Sequence, residues 1–266
     1  MSTAQSQPSD AVDRVLHGRY RLVRPIATGG MAEVWEGHDD VLARSVAVKM
    51  LLPRLAADEA VRERFRREAI AAARLSHPYV VAIFDTGLEG EQPFIVMELV
   101  AGKTLRQRMD AGPLRTGMAV AITDQVAQGL SHAHAAGLVH RDIKPGNILL
   151  ADDPGGLHVK VTDFGIARAT VEDAHLGDTD LTDPGTVMGT MKYIAPELVE
   201  GGAADARSDV FSLGVVLYEM LTGRVPFEGA TPLANPVARL ESGPPRPRKV
   251  RAGVSRFLDA ITMRRL

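Results

Sequence analysis

The chain has 266 residues, a formal net charge of −2 and no cysteine. A charge this close to zero argues against binding nucleic acid or an anionic membrane through bulk electrostatics, and the lack of cysteine excludes disulfides, thiolate zinc sites and a cysteine nucleophile. The polar N-terminus MSTAQSQPSD lacks the apolar core of a signal peptide, and no apolar run reaches the roughly 18 residues that span a bilayer. We therefore expect a disordered tail over residues 1–17 and a cytoplasmic domain over 18–266.

The first hundred residues predict an antiparallel sheet and one helix. Three Val-rich segments, separated by the glycine turn ATGGMAEV (27–34) and by Asp39-Asp40, form a meander that ends with RSVAVKML (44–51). A helix follows over residues 58–75, where Val61, Phe65, Ala72 and Leu75 share one face. The strands VVAIFDTG (80–87) and PFIVMEL (93–99) come next.

The sequence changes character after Gly102. Long helices are predicted over 114–136 and 209–221, with the short strands NILL (147–150) and HVKV (158–161) between them. This order of elements predicts an α+β protein of two lobes, with the boundary near residue 100.

Glu68 is an anomaly, because it lies on the apolar face of the predicted helix. An unpaired buried carboxylate would cost several kcal/mol, so Glu68 needs a cation nearby. Lys49 is the candidate, since it shares one face of its strand with Ala47 while Val46 and Val48 occupy the other. The alternative is a lysine that extends to solvent and a glutamate at the rim of the core.

The glycine turn joins two strands. This context excludes the dinucleotide fold and the Walker loop, since both lead into a helix. Glycines at such a turn allow the backbone to approach phosphates, although an ordinary hairpin turn has the same pattern.

Two further segments place polar groups beside apolar strands. In VKVTDFGIAR, Asp163 ends a strand, and in HRDIKPGN, Asn147 precedes another. The two side chains offer hard oxygen ligands suited to Mg²⁺, although a turn-capping aspartate is also common. The histidines of SHAHAAGLVHRD do not share a helical face at metal-ligand spacing.

Taken together and in order, VAVK (46–49), Glu68, HRDIKPGN (140–147), DFG (163–165) and APE (195–197) resemble the signature of the protein kinase superfamily. FRREA, HPYVVAIFDTG and SDVFSLGVVLYEMLTGRVPF are similar to the bacterial Hanks-type, PknB-like serine/threonine kinases. The resemblance covers residues 19–262. It implies the bilobal kinase fold: an N-lobe over about 18–99 with a five-stranded antiparallel sheet and one helix, and a mainly helical C-lobe over about 100–266.

The resemblance also implies ATP with Mg²⁺ or Mn²⁺ as cofactors and serine or threonine hydroxyls of proteins as substrates. Lys49, held by Glu68, would pair with the α- and β-phosphates, and Asn147 and Asp163 would hold the metal ion. Asp142 would orient the hydroxyl and accept its proton, while Lys144 would neutralise the γ-phosphate. The other implied ATP contacts are the glycine turn (Gly29, Gly30), an apolar adenine slot (Ile26, Val34, Ala47, Leu149, Met97) and the backbone of Glu98 and Val100.

Regulation and specificity are implied by the same resemblance. Lys144 and Thr190 match the serine/threonine pattern. Arg141 would bind a phosphate on the activation segment 163–197, for which Thr182 is the best candidate, followed by Thr186 and Thr179. Relatives of this kind tend to dimerise through the N-lobe, and a longer parent protein could carry a membrane anchor.

Two departures from the family pattern qualify these expectations. Ala27 and Ala32 occupy glycine positions of the phosphate hairpin, and alanine at 27 would be strained if that position needs a positive φ. The sequence also stops inside what resembles the penultimate helix, so we expect the C-lobe to lack its last helices and Glu197 to lack its buried partner. A catalytically impaired pseudokinase that binds nucleotide as a scaffold is therefore the main alternative, and a small-molecule phosphotransferase is another.

Overall fold

The computed structural model describes residues 14–153, 155–164, 191–199, 201–227 and 243–266. Its strands are β1 (Val15–Leu16), β2 (Tyr20–Thr28), β3 (Ala32–Asp39), β4 (Arg44–Leu51), β5 (Ile83–Glu89), β6 (Gln92–Glu98), β7 (Gly102–Thr104), β8 (Ile148–Asp153) and β9 (Gly156–Val161). Its helices are α1 (Pro53–Ala56), α2 (Glu59–Ala72), α3 (Leu105–Met109), α4 (Thr116–Ala135), a 3₁₀ turn (Pro145–Asn147), α5 (Pro196–Val199), α6 (Ala206–Thr222), α7 (Pro247–Val250) and α8 (Arg256–Met263).

The chain divides into two compact units. The first unit runs through Arg74 and resumes at Ala82–Val100, and the second unit comprises Leu75–Val81 and the chain from Ala101 onwards. The change of unit between Val100 and Ala101 coincides with the boundary expected near residue 100. The sequence did not predict that the short segment 75–81 belongs to the second unit.

The first unit contains an antiparallel sheet in the order β1-β2-β3-β4-β6-β5. The five-stranded prediction was wrong by one strand, because Val15 and Leu16 pair with Arg21 and Tyr20. These two residues lie within the predicted disordered tail, which was therefore placed too far along the chain. The error arises because a strand of two apolar residues is too short to show a periodic pattern in the sequence. Leu16 is nevertheless fully buried and closes one end of the core.

One face of this sheet carries the core of the first unit. The sheet curls, since Tyr20 on β2 donates its hydroxyl to Asp85 on β5 and its ring contacts Phe94 on β6 at 6.2 Å. The apolar side chains enclosed in this way are Leu16, Tyr20, Leu22, Trp35, Val46, Val48, Met50, Phe94 and Val96. Burial of each large member contributes about 1.5–3 kcal/mol.

Two helices accompany the sheet, where the sequence predicted one. The short helix α1 begins at a proline, which suits a first helical position. Helix α2 is capped at its start by Asp58, whose carboxylate accepts hydrogen bonds from Ala60 N and Val61 N. It ends at Ala72, three residues before the predicted end.

The second unit combines the helices α3–α8 with the three-stranded sheet β7-β8-β9. Gly102 begins β7 with φ 150°, and a Cβ there would lie 2.0 Å from the carbonyl oxygen of Leu150. Only glycine allows β7 to approach β8 so closely. Helix α6 is capped by Asp205 at its start and by Gly223, in the left-handed region, at its end. Among the helices that the structure describes, none has both the length and the apolar character required to span a bilayer.

Candidate active site

Strand β4 presents Lys49 and Ala47 on one face and the core valines on the other. Lys49 pairs with Val34 on β3 and with Ile95 on β6, and Ala47 pairs with Met97. Lys49 is only 7% exposed. The predicted division of the two faces is therefore confirmed, and Lys49 lies on the face opposite the core valines Val46 and Val48.

Helix α2 carries Glu68 on its buried side. Phe65, Ala69 and Ala72 on this side are buried, and Glu68 is half-buried among them. Partial burial of a carboxylate on this face is what the sequence predicted. Its ion pair with Lys49 stays a prediction.

The glycine turn between β2 and β3 is tight. Gly29 N donates to Ala32 O at 2.9 Å, and the guanidinium of Arg54 donates to Gly30 O. Neither Ala27 nor Ala32 has a positive φ. The strain considered for alanine at position 27 is therefore absent.

Four of the residues predicted for the adenine slot line neighbouring strands of the first unit. Ala47 and Met97 are buried, Val34 is half-buried, and Ile26 is 45% exposed on β2. The fifth, half-buried Leu149, lies on β8 in the second unit, opposite Lys160.

The end of β6 has a specific hydrogen-bonding pattern. Glu98 N donates to Ala82 O at 2.9 Å, and the Glu98 carboxylate accepts from Ala82 N at 3.3 Å. The amide of Glu98 is thus already used within the first unit. Val100, the last residue of this unit, is half-buried.

The segment 140–147 of the second unit brings three predicted residues together. Lys144 Nζ lies 2.8 Å from Asp142 Oδ2. Asn147 Nδ2 donates both to the same Oδ2, at 3.0 Å, and to the carbonyl oxygen of Asp142, at 2.9 Å. Asp142 is 6% exposed. The result is a buried carboxylate with an ammonium and an amide on one of its oxygens.

Asn147 and Asp163 occupy the same end of the β8–β9 hairpin. Ile148 is opposite Val161, and Thr162 N donates to Asn147 O at 3.0 Å. Because both Nδ2 contacts of Asn147 go to Asp142, its Oδ1 is directed elsewhere. Asp163 has φ 65°, a left-handed conformation that is uncommon for a non-glycine residue and that turns the chain sharply at the end of β9.

His140 connects these two segments. Its Nδ1 accepts from Asp142 N at 3.2 Å and its Nε2 donates to Thr162 O at 2.8 Å, which fixes the neutral Nε2–H tautomer. The centre of the His140 ring lies 4.5 Å from that of Phe164. His140 is therefore structural. Among the described residues, no group of three or more His, Cys, Asp or Glu side chains could hold a metal ion.

Asp209 on α6 is a residue that the sequence analysis missed. Its buried carboxylate accepts from His134 Nε2 at 2.7 Å, from His140 N at 2.8 Å and from Arg141 N at 2.8 Å. Arg141 has φ 68° and an exposed side chain. Asp209 therefore holds the backbone just before Asp142 in a strained conformation. The argument that singled out Glu68, a carboxylate in an apolar helix, would also have found it.

A second missed network involves Glu219, also on α6. Tyr193 Oη donates to one carboxylate oxygen at 2.7 Å, and Arg106 donates to the other at 2.8 Å. Burial, together with the adjacent carboxylate, raises the pKa of Tyr193 well above its ordinary value. The network ties residues 191–195 to helices α3 and α6.

Glu197 has a hydrogen-bond partner, and the expected absence of its buried, positively charged partner stays a prediction. Ser208 Oγ donates to Glu197 Oε1 at 2.6 Å, because the first turn of α6 passes beside α5. The predicted residues Thr179, Thr182, Thr186 and Thr190 lie outside the described part of the chain.

Comparison with known proteins identifies the family. The protein kinase domain model matches residues 20–255. PknL of Mycobacterium tuberculosis, a serine/threonine-protein kinase, is 44% identical over 248 residues, which are 93% of this chain and 60% of PknL. PrkC of Bacillus subtilis is 40% identical over 95% of this chain and 38% of its own length, and PknB of Mycobacterium leprae is 43% identical over 94% and 40%.

Solved structures agree with the sequence relatives. The kinase domain of M. tuberculosis PknI has a TM-score of 0.73 and 30% identity, covering 96% of this chain and 90% of that one. A point mutant of the same PknI domain gives a TM-score of 0.71 and 29% identity, with 100% and 91% coverage. The chain spans about three fifths of the length of PknL and less of PrkC and PknB. With the predicted α+β fold confirmed, the chain belongs to the protein kinase family.

Proposed function

We propose that this chain is the catalytic domain of a serine/threonine protein kinase, which transfers the γ-phosphate of ATP to hydroxyl groups of proteins. The observation that carries the proposal is the hydrogen-bonded group of Asp142, Lys144 and Asn147. Family membership and serine/threonine kinases at 40–44% identity support it. The same buried group disfavours the pseudokinase alternative, since the residues needed for transfer are present and supported.

Asp142 would act on the substrate hydroxyl. Its Oδ2 is engaged by Lys144 and Asn147, which fixes the orientation of the carboxylate before a substrate arrives. A carboxylate oriented in this way can accept a hydrogen bond from a serine or threonine hydroxyl and take up its proton as the oxygen attacks phosphorus. The positive charge of Lys144 would offset the charge that develops on the transferred group.

The residues present fit Mg²⁺ or Mn²⁺. Because Asn147 Nδ2 is bonded to Asp142, the Oδ1 atom of Asn147 could serve as a metal ligand. The Asp163 carboxylate at the same end of the hairpin could serve as a second ligand. Two protein oxygens suit Mg²⁺, which keeps water and phosphate oxygens in its remaining positions. The bound ion would neutralise charge on the phosphate oxygens.

The first unit would bind the nucleotide. Lys49 would pair with the α- and β-phosphates, positioned by Glu68, and the turn at Gly29 and Gly30 would lie against the phosphates. Since the amide of Glu98 is bonded to Ala82, its carbonyl oxygen, rather than its amide, would bind the adenine edge. Ile26, Val34, Ala47 and Met97 would supply the apolar wall of the first unit against the base, and the Val100 backbone would complete the base contacts.

Control by phosphorylation is part of the proposal. Arg141 lies in the segment 140–147, which we call the catalytic loop. Its side chain is exposed, while its backbone amide is fixed by Asp209. An arginine placed in this way can bind a phosphate with two hydrogen bonds, and Thr182, Thr186 and Thr179 would be the modified residues. Thr190 would contact the catalytic loop and favour serine or threonine as the acceptor.

Dimerisation through the first unit is a further part of the proposal. Val41 and Leu42 are 69% and 55% exposed at the β3–β4 turn. Nearby, the guanidinium of Arg44 lies 3.7 Å from the ring centre of Phe84, which is 39% exposed. This mixture of exposed apolar and aromatic groups is typical of a protein interface. Sedimentation of the wild type and of Leu42→Asp tests it: a dimer that the substitution dissociates is expected, and a monomeric wild type would contradict it.

The reaction is tested by incubating the purified chain with labelled ATP, Mg²⁺ and a generic protein substrate. We expect label on serine and threonine in the wild type and none in Lys49→Met, which should remain folded by circular dichroism. Full activity of Lys49→Met, label on tyrosine, or ATP binding with no transfer in the wild type would each contradict the proposal.

A further inference from the structure

The segment Leu75–Val81 is inserted between two parts of the first unit but belongs to the second. Val80 and Val81 were predicted to begin a strand with Ile83. Instead, Val81 N donates to Val161 O and Val161 N donates to Tyr79 O, both at 2.9 Å. The segment is therefore anchored to the last residue of β9.

Helix α4 and strand β9 complete the anchor. Gly129 on α4 packs so close to the segment that a Cβ there would lie 3.1 Å from Tyr79 O. His158 on β9 lies against the Tyr79 ring, with centres 5.6 Å apart, and its Nε2 donates to Pro78 O at 3.2 Å. The backbone of the segment is thus held on both sides.

His77 stabilises the turn of this segment only in its neutral form. Its Nδ1 accepts a hydrogen bond from Tyr79 N at 3.2 Å, so Nδ1 carries no proton and Nε2 does. The ring stacks on His132 of α4, with centres 5.1 Å apart and planes inclined by 26°. A proton on Nδ1 would replace this hydrogen bond with two opposed N–H groups.

Two groups around His77 also oppose a positive charge on its ring, His132 from α4 and Lys160 from β9. The other neighbour is the Tyr79 ring from the same segment. Burial, followed by the charges of His132 and Lys160, lowers the pKa of His77 below its ordinary value. Protonation therefore costs free energy in the anchored state that it does not cost when the segment is released.

We propose that His77 is an acid-sensitive latch, which holds the segment 75–81 on α4 and β9 when neutral and releases it when protonated. Because the pKa of His77 is lower in the anchored state than in the released state, His77 stabilises the anchored state fully above about pH 6.5. This stabilisation is lost as the pH falls. The two backbone hydrogen bonds between the segment and β9 both involve Val161, two residues before Asp163. Release would loosen the chain that leads to Asp163, and this consequence for catalysis rests on the proposed kinase function.

Hydrogen exchange of single amides tests the latch in the intact chain. The informative amides are those of Tyr79 and Val161, compared at pH 7.5 and pH 5.5 after correction for intrinsic exchange rates. In the wild type we expect their opening to increase by up to tenfold per pH unit below about pH 6.5. In His77→Asn the side-chain oxygen can accept from the amide two residues ahead but cannot be protonated, so the increase should disappear.

Two further variants complete the experiment. Lys160→Gln keeps His77 but removes a neighbouring charge, so the total increase should be smaller and should level off at a higher pH, because the pKa of His77 in the anchored state would be less depressed. His38→Asn, at a half-buried histidine on β3, is the matched control and should behave as the wild type. Equal protection at both pH values in the wild type, or an unchanged response in His77→Asn, would overturn the latch.

Phosphorylation of a peptide at the same two pH values separates the latch from the kinase function. If the chain is a kinase, the ratio of the rate at pH 5.5 to the rate at pH 7.5 should be lower in the wild type than in His77→Asn. Equal ratios would overturn the catalytic consequence. Absence of phosphorylation at either pH, combined with the expected exchange pattern, would refute the kinase function and leave the latch in place.

Discussion

Replacing Asp209 with asparagine should weaken both the fold and the reaction. Its carboxylate accepts from His134 Nε2, His140 N and Arg141 N at 2.7–2.8 Å, and it is 1% exposed. Each hydrogen bond to a buried charged group contributes about 1.5–3 kcal/mol. Asparagine keeps one acceptor oxygen and turns an NH₂ group towards at least one of the donors.

The expected loss in the free energy of unfolding is about 3–5 kcal/mol, or roughly a hundredfold to several thousandfold in the unfolding equilibrium. Because the lost bonds hold the two residues before Asp142, we also expect kcat to fall more than tenfold, with a smaller change in KM for ATP. Urea unfolding followed by circular dichroism and steady-state kinetics measure the two effects.

The control is Asp205→Asn, at the exposed start of the same helix, because asparagine also caps helices well. This variant should lose less than about 1 kcal/mol and keep its activity. If Asp209→Asn unfolds at the same urea concentration as the wild type and keeps its kcat, the account of this residue as the anchor of the catalytic loop is wrong.

Three other substitutions test separate parts of the structure. The hydrogen-bonded guanidinium of Arg19 holds the pKa of Asp39 well below its usual range. Asp39 therefore contributes stability that is complete above about pH 4 and lost in stronger acid. Asp39→Asn should reduce this loss in unfolding curves measured over a series of pH values, and an unchanged dependence of the unfolding free energy on pH would contradict the role of Asp39. Gly102→Ala should cost at least about 3 kcal/mol through collision with the β8 backbone. Gly156→Ala, where φ is also positive at 117° but a Cβ has open space, should cost only the backbone strain of about 1–2 kcal/mol, and equal costs in thermal unfolding would refute the collision. Gln125 on α4 bonds the edge of β9 with both ends of its amide, so Gln125→Ala should cost about 1–3 kcal/mol, and no change in the urea midpoint would show that these bonds add nothing.

The sequence predicted those parts of the site that local patterns specify. The alternation of side chains along β4 predicted that Lys49 and Ala47 share one face of the sheet. The positions of Asn147 and Asp163 at the ends of neighbouring strands predicted that they lie close together. The close grouping of Asp142, Lys144 and Asn147 follows from five residues of sequence separation and a short helical turn. In each case the spacing of the residues along one or two adjacent elements is enough to fix their geometry.

Other features depend on contacts between distant segments, whose partners cannot be identified from patterns in a single sequence. Asp209 accepts a hydrogen bond from Arg141, 68 residues away in sequence, and Glu219 accepts one from Arg106, 113 residues away. The two valines at the end of the segment 75–81 were predicted to begin the strand that contains Ile83. In the structure the backbone of this segment bonds to Val161 instead. Buried carboxylates in apolar helices were the available clue to the first two features.

The measurement that most directly tests the assigned chemistry is the rate of a single turnover on ATP-loaded protein with a saturating peptide substrate. Asp142→Asn should lower this rate by about 10²–10⁴ while leaving ATP affinity close to that of the wild type. Asp124→Asn, an exposed carboxylate on α4, should transfer phosphate at the wild-type rate. An unchanged rate in Asp142→Asn would contradict the role of this carboxylate and, with it, the proposed mechanism.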